Sequence, residues 1–290
     1  MGSASEPVKR VGIVGCGQMG TGIAEMTARA GFEVVVVTSS RESAQRGAKR
    51  IATSLDRAVR NGKLADDDRD AALSRITTTT DLLGLAECQL AIEAVREDES
   101  LKLRVLGEID KAIENPDVVL ATGTSSIPIV RLGRATERPE QVIGLHFFNP
   151  VQVMPLVELI PSLLTSQVAY DRTLEFTAVL RKQVVRSPDR SGFMVNALLI
   201  PYLLAAIRML ESGFASADDI DTAMELGCAH PMGPLKLTDL IGLDIILAVS
   251  EALHAEFREP HYSPPPLLMR MVDAGLLGKK VGRGFHQYTR

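Results

Sequence analysis

The apolar positions of this chain follow one rule up to about residue 186 and another beyond it. In the first stretch they come as short continuous runs, with Val8–Val14 and the β-branched Val34–Val37 foremost, the pattern of strands buried on both faces of a parallel sheet. Thr77–Thr80, Gln89–Val95, Val118–Ala121, Gln141–Leu145 and Gln183–Arg186 predict further strands, with another around Glu158. Between them the apolar spacing becomes helical: Thr21–Ala30 predicts a helix stopped by Gly31, Asp98–Glu114 a second and Ser166–Arg181 a third. In Glu42–Asn61 the set Ala44, Ala48, Ile51, Leu55 and Val59 marks one face of a long amphipathic helix ended by Gly62, and Asp66–Leu73 predicts a short helix returning from it. Alternating strands and helices predict an α/β fold with a doubly wound sheet, those two helices forming an insertion arm.

Ser187-Pro-Asp-Arg-Ser-Gly192 reads as a linker, and beyond it the strand pattern disappears. Phe193–Glu211 predicts an apolar helix that Pro201 should kink or locally open. Ser216 caps a helix running to Leu226, and Leu235–Phe257 and Pro266–Ala274 supply two more. The domains expected are therefore residues 1–188, carrying the sheet, and residues 189–290, all helical. The second half has more apolar surface than about a hundred residues need to cover, which points to a homodimer formed through it.

Composition narrows the class. The 290 residues are 46% hydrophobic and 23% charged, as in a soluble globular protein. No apolar run approaches the roughly eighteen residues of a membrane span. The opening MGSASEPVKR is short and polar and offers no apolar signal core, so a cytoplasmic protein is expected. Cys16, Cys88 and Cys228 lie far apart without a CxxC, which predicts small buried hydrophobes rather than disulfides. Cys228 and His230 make two ligands without partners, so no metal is expected. A net charge of −4 disfavours nucleic acid.

The first strand ends in Gly15-Cys-Gly-Gln-Met-Gly20, a G-x-G-x-x-G between strand and helix with a second strand following. In that setting it is the fingerprint of a Rossmann-like dinucleotide site: Gly15 for the tight turn, Gly17 for backbone approach to a pyrophosphate, Gly20 for helix packing, with Gln18 and Met19 between them. Where such sites carry an acid for the ribose 2′-hydroxyl, this chain has Thr38, then Ser39, Ser40 and Arg41. Hydroxyls and a guanidinium suit a 2′-phosphate, so NADP(H) is favoured, with NAD(H) as the alternative. From Arg41 to Lys63 there are seven basic residues, Arg57 among them, against two acidic ones. A solvated helix face explains such a run; a landing strip for a second polyanion such as coenzyme A is the other reading.

Two segments, Gly144-Leu-His-Phe-Phe-Asn-Pro150 and Met154-Pro-Leu-Val-Glu-Leu-Ile160, place His146 and Glu158 in apolar surroundings. A carboxylate in such a strand needs a partner, and a histidine held by it is a positioned acid/base; a structural histidine and an unrelated glutamate is the bland alternative. Thr122-Gly-Thr-Ser-Ser-Ile127 is a hydroxyl-rich loop in which Ser125 or Ser126 either caps the next helix or faces a substrate. Asn196, a lone amide among apolar residues, either makes a structural bond or reaches across the linker toward His146.

With those residues in view the chain resembles the short-chain L-3-hydroxyacyl-CoA dehydrogenases, and within them the bacterial 3-hydroxybutyryl-CoA dehydrogenases. The matching pieces are GCGQMGTGIA, IEAVRED, TSSIPI, GLHFFNPVQVMPLVELI, SGFMVNALLIPYL, HPMGPLKLTDLIGLD and GLLGKKVGRGF, in order along almost the whole chain. The resemblance implies a catalytic pair at His146 and Glu158 and substrate contacts at Ser125 and Asn196. It also implies nicotinamide-side contacts at Glu97, Lys102 and Asn149, a further cofactor contact at Lys280, and a CoA contact at Ser54, beside the basic Arg57 and Lys63. The substrate implied is a short-chain acyl-CoA. The chain departs from the family pattern at Gly123, where Asn is usual, and at Thr38, where Asp is usual. Competing readings are a dehydrogenase of this fold acting on an acyl-carrier-protein thioester, docked by the basic helix, and a non-catalytic crystallin-like homologue.

Overall fold

The computed structural model describes residues 7–289; residues 1–6, with most of the polar opening from which no signal segment was expected, and residue 290 lie outside it. The chain divides into two compact units, the first ending at Asp189 and the second beginning at Arg190.

The first unit is built on eight strands: β1 (Arg10–Val14), β2 (Glu33–Val37), β3 (Ile76–Thr79), β4 (Leu90–Glu93), β5 (Val119–Thr122), β6 (Val142–Phe147), β7 (Leu156–Pro161) and β8 (Gln183–Arg186). They form one sheet in the order β3-β2-β1-β4-β5-β6-β7-β8. All neighbours pair in parallel except β6 and β7, so β7 and β8 run against the rest. The continuous apolar runs do sit in the middle of the sheet: β4 and β5 are buried at every position. The outermost strands β3 and β8 are the partly exposed ones. Six helices connect the strands: α1 (Gln18–Arg29), α2 (Arg41–Arg60), α3 (Asp66–Ser74), α4 (Glu99–Ala112), α5 (Ile129–Gly133) and α6 (Gln167–Val179). This is a Rossmann-like doubly wound sheet, with α2 and α3 as the insertion between β2 and β3.

The order reverses at β1, which has β2 on one side and β4 on the other, and a crevice opens at the carboxyl ends of such strands. The amphipathic α2 leans on that crevice. It buries Ile51 and Leu55, and at Gly47 it comes so close that a Cβ would lie 2.8 Å from the Cys16 Cβ of the glycine-rich turn.

The second unit is helical: α7 (Val195–Glu211), α8 (Ala217–Gly227), α9 (Pro234–Ile241), α10 (Leu243–Phe257) and α11 (Pro266–Asp273). Its core gathers Leu203, Leu204, Ile207, Leu235, Leu243 and Leu253. Helix α7 passes through Pro201 without a break in the helix, and Ser216 caps α8 by accepting from the Asp219 N–H at 3.2 Å. The single helix expected over Leu235–Phe257 is two, because Gly242 turns to φ +111°, a conformation no helix continues through. The cysteines also correct an expectation. Cys88 is buried, but Cys16 is half-buried in the glycine turn and Cys228 is exposed just past the end of α8. Among the described residues no helix is long and apolar enough to cross a membrane, and no group of three or more His, Cys, Asp or Glu could hold a metal ion.

Candidate active site

The glycine-rich turn leaves β1 and enters α1. Gly15, at φ +111°, has no room for a side chain, since a Cβ would meet the Ala94 carbonyl oxygen at 2.5 Å. At Gly20 a Cβ would come within 2.0 Å of the Gly15 oxygen, so this glycine packs helix on turn and is not among the residues lining the cleft. Gly17 is different: it is the N-cap of α1, makes no side-chain cap, and has open space where a Cβ would be. The first N–H groups of α1 thus face a cradle suited to an anion.

A cleft of about 890 Å³ runs from this turn, within the size range of ligand sites. Gly15, Gly17, Gln18, Met19, Thr38, Ser39, Glu97, Gly123 and Ser125 line it. The Gln18 side-chain amide donates to Asn149 Oδ1 at 3.1 Å, which joins two of the residues expected to serve the cofactor. The cradle, the switch-point crevice and the cleft volume fit a nicotinamide dinucleotide.

Beyond β2 the chain builds a basic, hydroxyl-rich pocket end. The Thr38 hydroxyl is buried and donates to the Ser40 carbonyl at 2.9 Å, while Ser40 caps α2 by accepting from the Ser43 N–H. Ser39 and Ser43 remain on the cleft wall. Of the arginines of α2, Arg46 and Arg50 line that wall; Arg41, at the first position of α2, is exposed and outside it. Arg46 donates to the Ser43 hydroxyl at 2.9 Å, and Arg50 reaches the glycine turn, donating to the Cys16 carbonyl at 3.4 Å. Helical spacing explains the substitution: positions 46 and 50 share the face that leans on the turn, and position 41 does not. The same two arginines, with Lys49, Thr53, Ser54 and Arg57, line a second groove of about 400 Å³. Lys63 lies exposed beyond the end of α2 and outside that groove.

His146 and Glu158 face each other across the antiparallel pair β6·β7, in register. His146 Nδ1 and Glu158 Oε2 are 2.7 Å apart, with His146 6% exposed and Glu158 fully buried. An ionised carboxylate can only accept, so Nδ1 carries the proton of this bond and Nε2 is the nitrogen that can exchange one with a ligand. The Phe148 ring stands edge-on to the imidazole at 4.7 Å. Strand alternation sends Leu145 and Phe147 to the dinucleotide cleft and His146 to the opposite face. Because Thr122 pairs with Gly144, His146 lies two residues past the end of β5, level with the loop that follows that strand.

That loop is held by Glu97. One oxygen of its carboxylate accepts from the Thr124 hydroxyl at 2.6 Å, the Ser125 N–H at 2.8 Å, and the Ser126 N–H and hydroxyl at 3.1 Å. Burial alone would raise the Glu97 pKa, but the Lys102 ammonium and these donors outweigh it and hold the carboxyl below its usual range. Neither serine caps α5. Asp189 does so from sixty residues away, accepting from the Ile129 and Val130 N–H groups at 2.6 and 2.8 Å. Among the described residues the Ser125 hydroxyl makes no hydrogen bond, and it lies on the cleft wall. Lys102 is placed inside the fold: it is 1% exposed and its ammonium is taken by Glu93 at 2.9 and 3.0 Å, with Glu97 at 3.3 Å. Its part in the site therefore runs through Glu97 rather than through a ligand. Glu93 itself was missed, although the signal that singled out Glu158, a carboxylate inside an apolar strand, is equally present there.

Comparison with known proteins decides the family. The model of the 3-hydroxyacyl-CoA dehydrogenase NAD binding domain matches residues 10–190, and that of the 3-hydroxyacyl-CoA dehydrogenase C-terminal domain matches residues 192–288. The chain belongs to the 3-hydroxyacyl-CoA dehydrogenase family. The dehydrogenase is an oxidoreductase served by a nicotinamide dinucleotide. It is 56% identical over 285 residues to a 3-hydroxybutyryl-CoA dehydrogenase of Mycobacterium tuberculosis, covering 98% of this chain and 100% of that one. It is 39% identical to the mitochondrial hydroxyacyl-coenzyme A dehydrogenase of Homo sapiens, covering 97% and 91% of the two chains. Among solved structures it matches Mycobacterium tuberculosis FadB2 with a TM-score of 0.97 at 55% identity, over 98% of this chain and 100% of that one. The (S)-3-hydroxybutyryl-CoA dehydrogenase PaaH1 from Ralstonia eutropha follows at a TM-score of 0.94 and 43% identity, with the same coverage. Asn196 and Lys280 of the dehydrogenase belong to the second unit, Asn196 half-buried in the first turn of α7 and Lys280 paired with Asp244 at 2.5 Å.

Proposed function

We propose that this dehydrogenase interconverts a 3-hydroxyacyl-CoA and a 3-ketoacyl-CoA of short chain, 3-hydroxybutyryl-CoA and acetoacetyl-CoA foremost, with NADP(H) preferred over NAD(H). The observation that carries the reaction is the buried 2.7 Å pair of His146 and Glu158 at the carboxyl edge of the sheet. When bound, the dinucleotide supplies or takes the hydride at C4 of its nicotinamide. In the reducing direction His146 Nε2 donates a proton to the alkoxide forming on C3 of the acyl group, and Glu158 stabilises the imidazolium before that transfer. In the oxidising direction His146 takes the proton back. Ser125 donates to the substrate from the loop that Glu97 holds.

Arg46 and Arg50, with Ser39 and Ser43, support the cofactor preference, because hydroxyls and guanidiniums suit a 2′-phosphate and Thr38 stands where an NAD site would present a carboxylate. The groove lined by Ser54 and Arg57 is the place we assign to the phosphates of coenzyme A. Exposed Leu198, Phe214 and Leu226 support a homodimer through the second unit. A cytoplasmic location is part of the same proposal. Initial rates on acetoacetyl-CoA with NADPH and with NADH test the proposal. Turnover with neither overturns the reaction, and a higher kcat/KM with NADH overturns the cofactor preference.

A further inference from the structure

Glu93 is a fully buried carboxylate at the end of β4 that the mechanism above does not use. One of its oxygens accepts from the Val95 N–H at 2.7 Å and from Lys102 at 2.9 Å. The other accepts from the Thr122 hydroxyl at 2.7 Å and from Lys102 at 3.0 Å. Its carbonyl also takes the Gly123 N–H at 2.9 Å, so a single residue ties the end of β4 to the end of β5 by main chain and side chain. Lys102 then reaches the Val95 carbonyl at 3.3 Å and Glu97 at 3.3 Å, and Glu97 collects the four donors of residues 124–126.

We propose that Glu93 is a positioning residue: with Lys102 it holds the Glu97 carboxylate, and through it the backbone of Ser125, in the place that hydride transfer to an acyl-CoA requires. This rests on the reading that Ser125 contacts the substrate. A buried ion pair is weak support for a fold, since a matched apolar pair would serve the core at less desolvation cost. What this pair adds is directional. One cation sits between a dry carboxylate, which orients it, and a carboxylate 38% exposed on the cleft side, whose loop it steadies. Four donors converging on one oxygen of Glu97 favour its ionised form, and the ammonium beside its other oxygen is itself kept in place by Glu93. The charged side chains bonded in this chain are Glu93 from β4, Glu97 from the following turn and Lys102 from α4. Arg96 and Arg104 stand on the cleft wall nearby.

The experiment uses the full-length enzyme and four variants, Glu93→Gln, Glu93→Gln with Lys102→Met, Ser125→Ala, and Glu93→Gln with Ser125→Ala, comparing Tm with kcat and KM for acetoacetyl-CoA. Glu93→Gln leaves a buried ammonium with Glu97, at 3.3 Å, as its remaining carboxylate, and lowers both Tm and kcat. The Glu93→Gln, Lys102→Met pair leaves no buried charge unpaired, so Tm returns toward wild type while kcat stays down by about tenfold to a hundredfold. In the Ser125→Ala background Glu93→Gln costs less than about twofold more, because the two act through one loop. Recovery of kcat together with Tm in the charge-free pair, or an undiminished cost of Glu93→Gln in the Ser125→Ala background, would overturn the proposal alone. Wild-type kinetics in Ser125→Ala would overturn the reading of Ser125 and the proposal with it. Should Glu93→Gln not fold, the charge-free pair still decides.

Discussion

His146–Glu158 and Glu93–Lys102 are both buried pairs at the carboxyl edge of one sheet, yet they are assembled differently and do different work. The first is made by register: β6 and β7 run antiparallel and place residues 146 and 158 opposite each other, with side chains 2.7 Å apart. The second is made by a helix cap. Asp98 accepts the Leu101 N–H at 2.8 Å, starts α4, and so brings Lys102 back over the end of β4. The imidazole presents Nε2 to a ligand while Nδ1 is held, so its carboxylate orients a proton-transfer group. The ammonium is spent on both oxygens of Glu93, so that pair holds geometry. Burial and a charged partner are therefore common to both, and the identity of the cation separates chemistry from support.

The largest effect expected is at the first pair. His146→Ala should lower kcat for acetoacetyl-CoA reduction by about a thousandfold, and Glu158→Gln by about a hundredfold. Steady-state rates check both, and near wild-type turnover in either would remove the distinction drawn above. Lys102→Met should cost stability and rate together: Glu93 would be left charged and unpaired at full burial, for roughly 3 kcal/mol in a urea melt, and the lost hold on Glu97 should lower kcat by about tenfold or more. Arg46→Ala is expected to lower kcat/KM with NADPH by about tenfold while leaving NADH within about twofold, as for one lost charge-assisted bond. The smallest effect concerns Glu97, whose pKa is lowered in the folded protein. Its contribution to loop order is present above the ordinary carboxylate pKa of about 4.3 and is lost as pH falls through the lower folded value, because the unfolded chain binds that proton first. Glu97→Gln should therefore flatten the acid side of the Tm-against-pH curve; an unchanged slope would show that the carboxylate does not gain its charge from the Lys102 pair.

The parts of the site that were legible share a cause: each is written in contiguous residues. Gly15 and Gly20 announce themselves because a turn that admits no Cβ permits only glycine at its crowded points, and Gly17 by its place between them in the fingerprint. His146 and Glu158 stand out as polar residues in apolar runs. What was misplaced depends on side chains meeting across the chain. The guanidiniums of the pocket end were sought at Arg41, next to the hydroxyls in sequence, but the leaning of α2 on the turn at Gly47 brings Arg46 and Arg50 instead. For the helix after the 122–127 loop Ser125 or Ser126 was one candidate cap, and Asp189 caps it from the far end of the unit. In the second unit Asp221 and Asp239 are both fully buried. Asp239 takes the N–H groups of Phe285 and His286 and the Tyr288 hydroxyl, and Asp221 faces His286 Nε2 at 2.8 Å, so they clasp the end of the chain.

Period and glycine spacing in the primary structure were enough to establish the doubly wound sheet, the dinucleotide turn and the helical second half, since local sterics and burial act over a few residues. They also nominated the histidine and the glutamate. Folding alone settled that these two are in register, that Lys102 is spent on Glu93 inside the protein, and that one carboxylate oxygen of Glu97 gathers three consecutive residues of a loop. Hydrogen bonds between residues tens of positions apart have no period to read. They exist only once packing has excluded water and left each buried donor and acceptor to find its partner within the protein.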